Sequence, residues 1–157
     1  MAESLAEQVL CKIGPISELY HRLMLVVAQA GSGKTRALQE VHQRISAPLI
    51  NVNLELSRLM LDLTERQRSL QLPRLLGEMI DEIKENTILL DNIEILFDVA
   101  LKQDPLRLLQ GLSRNKTIVV SWNGSIENDF LTYAVPGHPE YRRYPTRGGG
   151  LLIIAPV

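Results

Sequence analysis

Residues Ala28-Gln29-Ala30-Gly31-Ser32-Gly33-Lys34-Thr35 follow directly on the apolar run Leu23-Met24-Leu25-Val26-Val27. That order constrains the fold strongly: a buried strand, a glycine turn, then a helix opening near Gly33. Glycines let backbone N–H groups turn inward around an anion, where a Cβ would obstruct them. The helix N-terminus adds its dipole to the same place. Lys34 offers a cation to the β- and γ-phosphates, and the Thr35 hydroxyl is placed to hold Mg²⁺. The segment therefore predicts a phosphate-binding loop, with Gln29, Ala30, Gly31, Ser32, Gly33, Lys34, Thr35 and Arg36 around the ligand. Ala28 stands where the usual form has glycine, a departure that the looser pattern accepts.

The rest of the chain supplies the elements such a loop needs. Leu5, Val9 and Ile13 predict a helix over residues 3–13 that ends at Gly14-Pro15, and a second short helix spans about 16–22. Strands are expected at 23–28, 49–53, 87–91, 117–121 and 151–154, with a helix over 34–45 and two helices between 54 and 86. In the second of these Leu75, Leu76, Met79, Ile80 and Ile83 share a face, and Pro73 sits in the first turn. Asp104-Pro105 reads as the start of a helix reaching Leu112. Residues 122–150, with Pro136, Pro139, Pro145 and three consecutive glycines, read as irregular. Continuous apolar strands separated by helices argue an α/β fold whose parallel sheet is covered on both faces.

Size and charge narrow the function. The 157 residues suit a single domain over 1–157, with 1–22 as an N-terminal helical segment. A net charge of −1 carries no global basic field for nucleic acid, and 4% aromatics leave few stacking platforms. Cys11 is the one cysteine, so neither a disulfide framework nor a cysteine metal cluster is available. No apolar run is long enough to span a bilayer, and Met1-Ala2-Glu3-Ser4 does not resemble a secretory leader. The expectation is a cytoplasmic protein with no membrane partner.

A phosphate loop needs metal- and water-positioning groups from neighbouring strand ends. The run Ile88-Leu89-Leu90-Asp91 has the Walker B form, an apolar strand that delivers a carboxylate toward Mg²⁺. Strong ATPases follow that aspartate with a glutamate, but here Asn92 occupies the position and cannot accept a proton. Glu94 is the nearest acid, and a helical turn from Asn92 would bring it to the face of Asp91. At the end of the 117–121 strand, Asn123 is the candidate to sense the γ-phosphate, with Ser121 second. The catalytic set is thus Lys34, Asp91, Glu94 and Asn123, and the metal set Thr35 and Asp91. Arg114, Arg142, Arg143 and Arg147 are the arginines that a second subunit could insert as a finger.

Asp91-Asn92-Ile93-Glu94 is not the Asp-x-x-Gly of a GTPase, and Asn115-Lys116 precedes its strand and lacks the following Asp. ATP is therefore the expected nucleotide, with Mg²⁺. No compact arginine lid favours a small-molecule kinase. The element order fits a three-layer P-loop NTPase fold of the additional-strand type, with a five-stranded parallel sheet ordered 5-1-4-3-2 and no C-terminal helical lid. With Ala30 to Thr35, Leu89 to Phe97 (LLDNIEILF) and Ile118 to Gly124 (IVVSWNG), the chain resembles the BrxF family, small P-loop proteins of type 3 BREX phage-defence systems. The resemblance implies a bacterial ATPase that works beside other defence proteins to restrict phage DNA; a homo-oligomer and a DNA contact, direct or through those partners, are the further expectations. Arg142, Arg143, Arg147 and Lys116 are the surface groups for a direct DNA contact. The alternatives are a nucleotide-binding module that does not hydrolyse, motivated by Asn92, and a small-molecule kinase.

Overall fold

The computed structural model of the chain describes residues 4–146 and 151–155. Strands without alternation need cover on both faces, and the apolar runs accordingly form the centre of a parallel sheet. β1 (Leu23–Ala28), β3 (Thr87–Asp91) and the first part of β4 (Thr117–Glu127) are buried nearly throughout. β2 (Leu49–Asn51) and β7 (Leu152–Ile154) are the outer parallel strands. The order β2-β3-β4-β1-β7 is the one expected of the five parallel strands, with β1 and β4 adjacent at the centre.

Helices cover both faces and make three layers. Ala6, Val9 and Ile16 of α1 (Leu5–Ile16) and Ala37, Leu38 and Val41 of α2 (Lys34–Arg44) pack with Met24, Val26, Leu89 and Val119. On the other face, α3 (Val52–Leu59), α4 (Glu65–Asp81) and α5 (Pro105–Leu112) pack against Leu23, Leu25, Val27, Ile88, Leu90, Ile118 and Val120. Among the described residues, no helix is long and apolar enough to cross a membrane.

The sheet has seven strands, not the expected five. β4 does not stop at Ser121. It continues through Asn123 and Gly124 and pairs antiparallel with β5 (Phe130–Tyr133), which pairs with β6 (Arg142–Pro145). Asn128 and Asp129, at φ 50° and 66°, make the reversal, and both residue types tolerate that region. Gly124 permits the hairpin: a Cβ there would lie 1.8 Å from the Thr132 carbonyl oxygen. Trp122, two residues earlier on the same face, is fully buried and donates its indole N–H to the same oxygen at 3.0 Å. Behind it Phe97 and Tyr133 stack with centroids 3.5 Å apart.

Several helix limits also differ from the sequence reading. α1 runs through Gly14 and Pro15 to Ile16, and residues 17–22 form turns rather than a second helix. β2 ends at Asn51, whose side chain caps α3 by accepting from the Leu54 N–H at 3.1 Å. Pro73 lies mid-helix rather than in a first turn, because the Thr64–Gln67 capping box starts α4 at Glu65. The proline removes the donor that would reach the Ser69 carbonyl, and the Gln103 amide fills that place at 2.8 Å.

Two predictions follow from this packing. Gly124→Ala should cost about 2 kcal/mol through the hairpin clash, whereas Gly77→Ala, with open space at its Cβ inside α4, should stabilise by about 0.5–1 kcal/mol; urea denaturation measures both. Burial, aided by the charges of Glu94 and Glu140, pushes the Tyr133 phenol up to about 12, and burial with the Asp104 carboxylate raises Tyr144 as well. An acid raised in the folded state binds protons that the unfolded chain has released. Stability should therefore hold below pH 10 and fall as pH climbs from 10 toward 12, in step with a delayed tyrosinate absorbance.

Candidate functional site

Strand parity decides which side chains meet. Met24, Val26, Leu89 and Val119 face α1 and α2, and their neighbours in sequence face the opposite layer. Continuing that alternation to the carboxyl ends puts Asp91, Ser121 and Asn123 on the α2 side, where the glycine loop turns into the helix. Register aligns the ends: Val26 stands beside Ser121, Ala28 beside Asn123, and Leu90 beside Val120.

The loop itself needs its glycines. Gly31 and Gly33 have φ of 81° and 94°, and Gly33 is the N-cap of α2. A Cβ at either would meet nothing within 4 Å, so backbone conformation, rather than crowding by the protein, selects glycine. The Lys34 ammonium folds back across the loop and donates to the carbonyl oxygens of Ala28 (2.9 Å) and Gln29 (2.7 Å) and to Ser32 Oγ (3.4 Å). Burial lowers its pKa from the usual lysine value, while the charges of Asp91 and Glu94 oppose that shift. An arriving anion would relieve this desolvation.

Thr35 Oγ1 donates to Asp91 Oδ2 at 2.7 Å, joining the first turn of α2 to the end of β3. The other carboxylate oxygen, Oδ1, accepts from Ser121 Oγ. After Asp91 the chain leaves the sheet at Asn92, which adopts φ 53°. That left-handed step is followed by a 3₁₀ turn over Glu94–Phe97, and it brings Glu94 back to the cleft. Glu94 Oε1 accepts from Asn123 Nδ2 at 2.7 Å and Oε2 from Asn53 Nδ2 at 3.0 Å. Asn53 also takes the Ile95 N–H on its Oδ1 at 2.7 Å, and its own N–H reaches the Asn92 carbonyl at 2.8 Å.

Ala30, Gly31, Gly33, Lys34, Thr35, Asp91, Asn92, Glu94 and Asn123 thus line one cleft of about 340 Å³. Gln29 and Ser32 serve the loop through Lys34, while Arg36 is exposed on α2 and does not line the cleft. Asn53 was not foreseen as a site residue. Its signal was present, since Asn51 and Asn53 interrupt an apolar run at the carboxyl end of β2.

Arg114, Arg142 and Arg143 do not line the cleft. Arg114 lies at the amino edge of the sheet, with its guanidinium 5.5 Å from the Tyr20 ring centroid. Arg142 donates to the Gln103 carbonyl at 2.8 Å, and Arg143 stacks over Phe130 at 3.5 Å. Arg147 lies outside the described residues. Lys116 is also remote from β6, because its ammonium caps the Ile83 and Glu85 carbonyls after α4. The three of these cations that are described, Arg142, Arg143 and Lys116, therefore do not form one patch.

Among the described residues, no three His, Cys, Asp or Glu side chains converge. One carboxylate and one hydroxyl, open to a ligand's phosphates, suit Mg²⁺, which takes few protein ligands and keeps its waters. The residues present fit a divalent ion that takes its remaining ligands from outside the protein.

No protein-family profile matches the chain, and no curated protein sequence matches it. Among solved structures, C. elegans PCH-2 is similar, at 20% identity and a TM-score of 0.48. The match covers 78% of this chain and 39% of that one, so this chain spans less than half the length of that protein.

The left-handed step at Asn92 yields a direct test. Asn92→Ala should destabilise the fold by about 1 kcal/mol and Asn92→Gly by less than half of that, as read by urea denaturation.

Proposed function

We propose that the cleft binds MgATP and hydrolyses it. The observation that supports this most is the convergence of Lys34, Thr35, Asp91, Glu94 and Asn123 on one opening at the carboxyl edge of a parallel sheet. In this reading the loop N–H groups and Lys34 bind the β- and γ-phosphates. Thr35 and Asp91 hold Mg²⁺, which when bound supplies charge neutralisation for the transferring phosphoryl group. Glu94 orients the attacking water and takes its proton, replacing the acid missing at Asn92. Asn123 keeps that carboxylate at the γ-phosphate end of the cleft. The absence of guanine-recognition motifs favours ATP over GTP.

The motif strings that resemble the BrxF family support a finer proposal, a cytoplasmic subunit of a BREX-type phage-defence assembly that acts on DNA with partner proteins. A homo-oligomer belongs to that proposal, with Arg114, Arg142, Arg143 or Arg147 offered to the next copy's site. The whole of residues 1–157 acts as one ATPase domain in this account.

Phosphate release at saturating ATP tests it. Lys34→Ala and Asp91→Ala should each lower turnover at least 100-fold, and Glu94→Gln by about 100-fold with nucleotide affinity retained. Turnover unchanged in Lys34→Ala overturns the proposal. Nucleotide binding without release, alone or with DNA, selects the non-hydrolysing module, and turnover that requires a metabolite acceptor selects a kinase.

A further inference from the structure

Ser121 is an anomaly on its strand. It follows Ile118-Val119-Val120 in a central strand and is 6% exposed. β-branched apolar residues suit such a position, and a buried hydroxyl there is costly without a partner. Its partner is Asp91 Oδ1, also at a residue 6% exposed.

We infer that Ser121 is a positioning residue for the metal site, a role that rests on the nucleotide reading above. Asp91 then has one oxygen fixed from β4 and the other from Thr35 on α2. Two hydroxyl donors from different elements leave the carboxylate little rotational freedom. They also set the chemistry of Thr35: its single hydroxyl proton goes to Asp91, so its oxygen lone pairs face away from the carboxylate and are available to a cation. Without Ser121, Oδ1 would lack its buried donor, and the carboxylate could swing toward the nearby Lys34 ammonium. That ammonium is at present held by three oxygens of its own loop. Such a swing would neutralise the two charges against each other and remove both from the ligand. Ser121 therefore acts through Asp91, as outer-shell groups do in metal sites generally.

Mn²⁺ is the probe, titrated in the presence of ADP and followed by electron paramagnetic resonance. Ser121→Ala should weaken Mn²⁺ binding about 10–100-fold, while the affinity for a fluorescent ADP analogue in EDTA stays at the wild-type value. Ser121→Thr and Ser121→Val form a matched pair that differs only in hydroxyl against methyl, which keeps the test decisive if the alanine variant unfolds. Thr should bind Mn²⁺ within about threefold of wild type, and Val should lose as much as Ala. On an Asp91→Asn background, Ser121→Ala should add no further loss. Equal Mn²⁺ affinity for Thr and Val, or a full further loss on the Asp91→Asn background, overturns the inference alone. Wild-type protein that binds ADP without metal yet takes up no Mn²⁺ overturns this inference and the metal roles of Thr35 and Asp91. Wild-type protein that binds no ADP overturns the nucleotide reading itself.

Discussion

The parallel register of β3 on β4 and of β4 on β1 holds the cleft together. Leu90 beside Val120 and Val26 beside Ser121 bring the carboxyl ends of the three central strands level. Because side chains alternate, a one-residue slip of β3 would turn Asp91 toward α4 and put Leu90 at the glycine loop. The apolar clusters on the two faces oppose that slip, since every core side chain of the strand would move to the wrong layer. The site is thus specified by the same packing that stabilises the sheet. Its polar members sit where that packing ends.

Most of the architecture was legible in the chain because the strands are continuous apolar runs with helical periodicity between them. β1 and β3 fall where their runs begin and end, and so does α5 after Asp104-Pro105. The hairpin was not legible. Pro136, Pro139, Pro145 and three consecutive glycines made residues 122–150 read as irregular. In the fold Gly124 is a strand residue chosen for close approach of Thr132. Pro73 misled for a related reason, since the cost of a mid-helix proline is met by Gln103, thirty residues away in sequence.

The site shows the same division. The loop, Asp91 and Asn123 follow from local sequence because their roles depend on strand ends. Glu94 depends on how the chain leaves the sheet, and that depends on Asn92 adopting a left-handed conformation. Asn92 looked like a lost glutamate, but in the fold it is the bend that returns an acid to the cleft. Asn53 and Ser121 act through long-range partners, Glu94 and Asp91, and no spacing rule reveals such a pair.

The loop, the strand-end carboxylate and the returning acid are the grounds on which we propose a MgATP site, and calorimetric titration of MgATP into the folded chain tests that most directly. One saturable site per chain is predicted, with binding lost in Lys34→Ala while the variant keeps its fold. A folded wild-type chain that shows no saturable binding, or Lys34→Ala binding as tightly as wild type, would contradict the account.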